Sequence, residues 1–210
     1  MNLIPYKSVA RYARFEQTIN KSRFIAEVMP VEDEQAATAF LQGVKQAAPE
    51  ASHHCAAYIV GARQNVQRFF DDGEPSGTAG MPILEVLKRN ELTQIIAVVT
   101  RYFGGILLGA GGLVRAYASS CAGAIEQSGI SLYEHTQHIA LDVPYTLLGS
   151  VENYLTKIRH VRKGMQYGVS VTVELYVKLQ DCDVLQKAVA ELSGGMLVPQ
   201  VLADIYFPWA

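Results

Sequence analysis

The chain is poor in cysteine. Its 210 residues hold three, Cys55, Cys121 and Cys182, odd in number and far apart. That excludes a disulfide framework and a paired-cysteine zinc site, and points to a reducing compartment. Long apolar runs are also missing. No stretch approaches the roughly eighteen residues of a membrane span, and the opening MNLIPYKSVARYARFEQ has no apolar core of signal-peptide length. A soluble, cytoplasmic protein without membrane contact is expected. Nor is there an excess of one charge sign. Formal net charge is −2; residues 1–135 carry 12 basic and 13 acidic side chains, and residues 136–210 carry 6 and 7. Neither part is a basic nucleic-acid module, so any RNA contact rests on a local patch and no DNA specificity is expected. There is no GxSxG nucleophile elbow. Ser119 and Ser120 lie in a helical pattern, where hydroxyls are usually structural. No catalytic residue and no cofactor is assigned.

What is present is organised around VVTRYFGGILLGAGGLVRAY, residues 98–117. Ile95 to Thr100 is a short β-branched apolar run, read as a strand buried on both faces. Leu113, Val114, Tyr117, Cys121 and Ile125 recur at helical spacing, predicting an amphipathic helix that runs to about Gln127. Between them lie Gly104, Gly105, Gly109, Gly111 and Gly112, with Arg101 and Tyr102 at the strand's exit and Arg115 beyond. Glycines let a backbone approach a ligand, and a helix N-terminus favours anions. The segment therefore suggests an anion site at Arg101, Tyr102, Gly104, Gly105, Gly109 and Arg115, although such glycines can also serve only a tight connection. It is not a P-loop: Gly104 and Gly109 have the spacing, but Ala110 and Gly111 stand where Lys and Ser/Thr are needed. A dinucleotide fingerprint fails at Val114, in the third glycine position.

Taken in order, Arg23–Met29 reads as a strand, and a helix follows from Glu32–Glu34 to Pro49. His54–Val60 and Val66–Phe70 read as a hairpin. Asp71–Gly80, DDGEPSGTAG, is turn chemistry throughout, and Pro82 opens a helix ending near Arg89. After Gly129 the pattern restarts: strand Thr136–Val143, helix Tyr145–Ile158, strand Gly164–Tyr167, strand Ser170–Lys178, helix Asp181–Leu192 with Asp181 as N-cap and Gly194 as C′, strand Met196–Phe207. The order βαββαβ is the ferredoxin-like split unit. Two domains are expected, 1–135 and 136–210, in an α+β chain.

Three further clusters could carry chemistry. His53, His54 and Cys55 invite a metal, but adjacent strand residues face opposite ways and no second ligand pair follows, so no metal is assigned. Asp71, Asp72 and Glu74, with Ser76 and Thr78, could hold a cation or act as acid and base, or could be turn residues only. Arg159, His160, Arg162 and Lys163 read as a basic cluster at a helix end, there for the helix dipole or for RNA phosphate. The sheet aromatics that RNA binding would call for are Tyr167 and Tyr176, without an RNP signature.

RYFGGILLGAGGLVRAY, preceded by KSRFIA, HHCAAY and DDGEPSGTAG, resembles the YigZ/IMPACT family of translation-associated proteins. The resemblance implies that the first domain is an α/β sandwich with the fold shared by translation factors and a small-subunit ribosomal protein. It implies that the second is similar to the ferredoxin-like terminal domain of elongation factor G. It also implies that the four motifs belong together, making His53, His54 and the acidic loop candidate site residues beside Arg101. Eukaryotic members regulate a translation-initiation kinase through an additional N-terminal domain; only about twenty residues precede KSRFIA, so that role is not expected here. The leading expectation is a translation-associated regulatory binding protein that contacts RNA phosphate, nucleotide or ribosome. The alternatives are a metal-dependent hydrolase or phosphate-handling enzyme using the acidic loop, and a protein-binding adaptor acting through the C-terminal domain.

Overall fold

In the computed structural model, residues 4–61 and 63–209 are described. They fall into two compact units, Ile4–Leu132 and Tyr133–Trp209. The division lies inside a strand, three residues before the boundary expected from the sequence.

The first unit opens with two strands not read from the sequence, β1 (Tyr6–Val9) and β2 (Ala13–Ile19). β2 is an edge strand with Arg14 and Glu16 turned to solvent, so its apolar side is thin and its alternation is masked by charge. β3 (Ser22–Pro30), α1 (Glu34–Ala47), β4 (His53–Val60), β5 (Val66–Phe70), α2 (Gly80–Arg89), β6 (Ile95–Tyr102) and α3 (Gly109–Ser128) follow. Asp33 caps α1 by accepting from the Ala36 amide at 2.8 Å. The sheet order is β2-β3-β6-β4-β5, with every neighbour antiparallel.

β6 lies at the centre and is buried on both sides, as its apolar run requires. Ile95, Ala97 and Val99 pack with Phe24, Cys55 and Ile59 under α2 and α3. Ile96 and Val98 pack with Ala56, Tyr58 and the α1 residues Ala37 and Leu41 on the other face. The period of two therefore decides which side each later residue serves. Arg101 and His53 fall on the α2/α3 side, Tyr102 and His54 on the α1 side.

The second unit contains β7 (Ile130–Val143), α4 (Tyr145–Leu155), β8 (Val161–Tyr167), β9 (Val171–Lys178), α5 (Leu179–Ser193) and β10 (Gln200–Trp209). Its strands run β10-β7-β9-β8, with β7–β9 and β8–β9 antiparallel. This is the ferredoxin-like order. Val171, Val173, Leu175 and Val177 turn inward against Val151, Leu155, Leu185 and Val189 of the helices.

Two local expectations change, and that for Gly194 holds. α5 follows β9 without a loop, so Lys178 occupies the N-cap and Asp181 sits in the first turn. Gly194 ends that helix in the left-handed region, φ 61°. β8 starts at Val161, with a register shift between Arg162 and Gly164, so Arg162 and Lys163 are strand residues and α4 has already ended at Leu155. Their assignment to a helix end is corrected accordingly.

Candidate functional site

Two strand-to-helix connections meet on the α2/α3 side of the first sheet. In the first, between β5 and α2, Asp71 folds back on the helix start. One carboxylate oxygen accepts from the amides of Ala79 (3.1 Å) and Gly80 (2.8 Å), the other from Gly77 (2.8 Å). The N-terminus of α2 is thus filled by the chain's own anion. Gly80 is needed there, since a Cβ would stand 2.7 Å from the Phe70 backbone. Thr78 closes the turn by donating to the Pro75 carbonyl at 2.6 Å.

The second connection, between β6 and α3, is open. Gly104 passes so close to the preceding hairpin that a Cβ would lie 2.0 Å from the Lys21 carbonyl. Its amide donates to Ser22 Oγ at 3.2 Å. α3 then begins at Gly109, earlier than the sequence suggested, so Gly109, Gly111 and Gly112 form its first turn. The residue at its N-cap is Leu108, which has no capping side chain, and the first turn holds no acidic residue.

Between the two connections lies a cleft of about 420 Å³, walled by Pro75, Phe103, Leu107, Leu108, Ala110 and Leu113. His53, Glu74 and Arg101 contribute the polar groups. Glu74 is buried, and its Oε1 accepts from Arg101 Nη1 at 2.6 Å and from Tyr117 Oη at 2.7 Å. Arg101 also donates to Ser22 Oγ at 3.3 Å, and its guanidinium lies over the Phe24 and Phe103 rings. His53 Nε2 is 3.9 Å from Glu74 Oε1, and its Nδ1 donates to the Asp72 carbonyl at 2.9 Å. Burial, the adjacent Cys55 thiol and the Glu74 carboxylate hold the Tyr117 phenol far above its ordinary value, so it keeps its proton and donates it to Glu74. Burial likewise pushes the Cys55 thiol up to about 12, and its Sγ–H points at the Asp71 carbonyl at 2.9 Å. It is a core thiol, not a nucleophile.

Ser22, His53, Glu74 and Arg101 come from four separate stretches of sequence and interlock around one cleft. A family model described as the Impact N-terminal domain matches residues 20–125, which contain all four, and a second, for a domain of unknown function, DUF1949, matches residues 141–196. The IMPACT family member YvyE of Bacillus subtilis is 40% identical over 190 residues, covering 90% of this chain and 88% of that protein. The chain belongs to the IMPACT family. YigZ of Escherichia coli, another member, is 41% identical over 189 residues, covering 89% of this chain and 92% of its own. A solved structure described as that of a hypothetical protein is 32% identical, with a TM-score of 0.63, covering 96% of this chain and 98% of its own.

The remaining candidates from the sequence are scattered. His54 is buried on the α1 side, its Nε2 3.0 Å from the Ala48 carbonyl. Asp72 takes Lys45 Nζ on one oxygen and the His54 amide on the other, each at 2.7 Å. Burial opposes its ionised form, but these two donors prevail and hold its carboxyl below the ordinary value. Tyr102 lies on the α1 side under Arg23 and donates to Glu50. Gly105, with φ 82°, and the exposed Ser76 do not line the cleft. Arg115 is exposed on α3, two residues past Leu113 and so on a different side of the helix.

Arg101, assigned by the sequence to an anion site, has its charge met by Glu74. In the second unit Arg162 pairs with Glu152 at 2.6 Å, Lys163 with Glu174 at 3.4 Å, and Arg159 lies over the Trp209 ring. Tyr167 is exposed, while Tyr176 stacks on Phe207.

Nothing in the sequence marks Phe103, Leu107 or Leu108 as lining residues, or Tyr117 as a polar one. The first three sit inside the glycine-rich motif. Tyr117 reads as a core position, and only the fold reveals where its hydroxyl goes.

Proposed function

We propose that the protein is a translation-associated regulatory binding protein, acting in the cytoplasm, whose cleft receives a nucleotide or a single-stranded RNA segment. IMPACT family membership supports a translation-related regulatory role in broad terms. The observation that carries the ligand reading is the pairing of an uncapped α3 N-terminus with an apolar wall on one cleft. The free amides of that turn suit a phosphate. Phe103, 48% exposed, and Leu107, 85% exposed, offer surface to a base. The phosphate contact moves from Arg101, as the sequence suggested, to the helix start.

The hydrolase alternative needs carboxylates free to converge on a metal. Asp71 is bound to three amides and Asp72 to Lys45 and His54. The acidic loop therefore favours the binding reading.

The test is co-sedimentation with ribosomes and total RNA at low and moderate salt. Wild type should associate in a salt-sensitive manner. Phe103→Ala and Ala110→Glu, both changes at exposed positions, should reduce association at least several-fold while keeping the cooperative unfolding of the wild type, with no loss of stability in Ala110→Glu. Undiminished association in both variants would overturn this reading of the cleft.

A further inference from the structure

We propose that the cleft is selective for guanine, through Glu74 and His53. This rests on the nucleotide reading above. Glu74 is 8% exposed, and both of its protein donors, Arg101 and Tyr117, converge on Oε1. Among the described residues Oε2 has no hydrogen-bond partner, and Glu74 lines the cleft. His53 adds a second acceptor. A carbonyl oxygen can only accept, so Nδ1 carries a proton toward Asp72, which leaves Nε2 as the ring's other polar atom, an acceptor in that tautomer. That nitrogen lies beside the same carboxylate.

The polar floor presents these two acceptors beside Arg101, whose Nη1 and Nη2 are held by Glu74 and Ser22 and whose Nε is buried with no hydrogen-bond partner among the described residues. A ligand edge presenting acceptors there would leave buried lone pairs facing one another without protons. The floor calls for adjacent donors, which guanine supplies as N1–H and the N2 amino group. Adenine and cytosine each offer one amino group beside an acceptor nitrogen, and uracil a single N–H between two carbonyls. Phe103, Leu108 and Leu113 cover the ring faces.

The test is equilibrium binding of guanosine, adenosine, cytidine and uridine 5′-monophosphates, and of single-stranded RNAs carrying one G or none. Guanosine monophosphate, or the G-containing RNA, should bind about five- to a hundredfold more tightly than its counterparts. The two arms distinguish a free nucleotide from a strand. In Glu74→Gln, Arg101 and Tyr117 still donate to the Oε1 position, which holds the amide oxygen there and turns the NH2 into the cleft. The preference for guanine should vanish or reverse. His53→Leu, which leaves the Glu74 pair intact, should also weaken it and serves if Glu74→Gln folds poorly. Equal binding of all four bases, or a guanine preference that survives both changes, would overturn the inference while leaving RNA binding in place. RNA binding that ignores every variant at the cleft, Phe103→Ala and Ala110→Glu included, would overturn both.

Discussion

The loop before α2 and the loop before α3 share one task, carrying the chain from a strand into a helix on the same side of the same sheet. They solve it in opposite ways. The α2 start is closed by Asp71, which takes three amides. The α3 start has an apolar N-cap, Leu108, no acidic residue in its first turn and a cleft in front of it. A helix end whose amides are satisfied from within is architecture. One left open beside apolar walls is where a ligand's charge can enter. Within the acidic loop, Asp71 serves the helix start, while Glu74 faces the cleft.

The largest effect should come from the ion pair behind both loops. Arg101→Leu leaves Glu74 buried without its counter-charge and should cost about 3–5 kcal/mol, read as a lower urea midpoint. Next is Asp71→Ala. Losing the α2 cap and its charged hydrogen bonds should cost roughly 2–3 kcal/mol, while an analogous truncation at the other loop, Leu108→Ala, should not disturb α3 through loss of a cap. Equal losses from a missing cap at the two ends would break the contrast.

Asp72 provides a pH handle on the closed loop. Its folded-state carboxyl titrates below the ordinary 3.8, so its stabilisation is present above that value and is lost as pH falls through the lower folded-state value. Asp72→Asn should therefore be less stable than wild type at pH 7, with the gap closing in urea melts as pH drops below 3.8. A gap that stays constant down to pH 2 would contradict the assigned Lys45 and His54 contacts. The smallest effect, opposite in sign, is expected for Ala110→Glu. An acidic residue in the vacant first turn of α3 should raise stability by roughly 0.3–1 kcal/mol, even as it reduces RNA association.

Much of this frame was legible in the sequence. The Ile95–Thr100 run announced a central strand, and the alternation in VTVEL and YVKL announced one sheet face of the ferredoxin-like unit. β2 was hidden because charged residues occupy its open face. For the candidate site, residues from separate motifs, His53, Glu74 and Arg101, line one cleft with Gly109. What the sequence could not give was pairing. An arginine beside glycines reads as an anion contact until the fold presents Glu74 at 2.6 Å, and strand alternation puts His53 and His54 on opposite faces without saying which face carries the cleft. Arg115 lies at a helical phase away from Leu113, with its guanidinium beside Gly111 in the first turn of α3.

On the proposed function, the open start of α3 meets the ligand. Photocrosslinking of total RNA to the intact protein, with the joined peptides identified by mass spectrometry, tests it most directly. Crosslinks on residues 103–113, with a second set on 73–75, are expected. Crosslinks confined to residues 133–209, with none around the cleft, would contradict it.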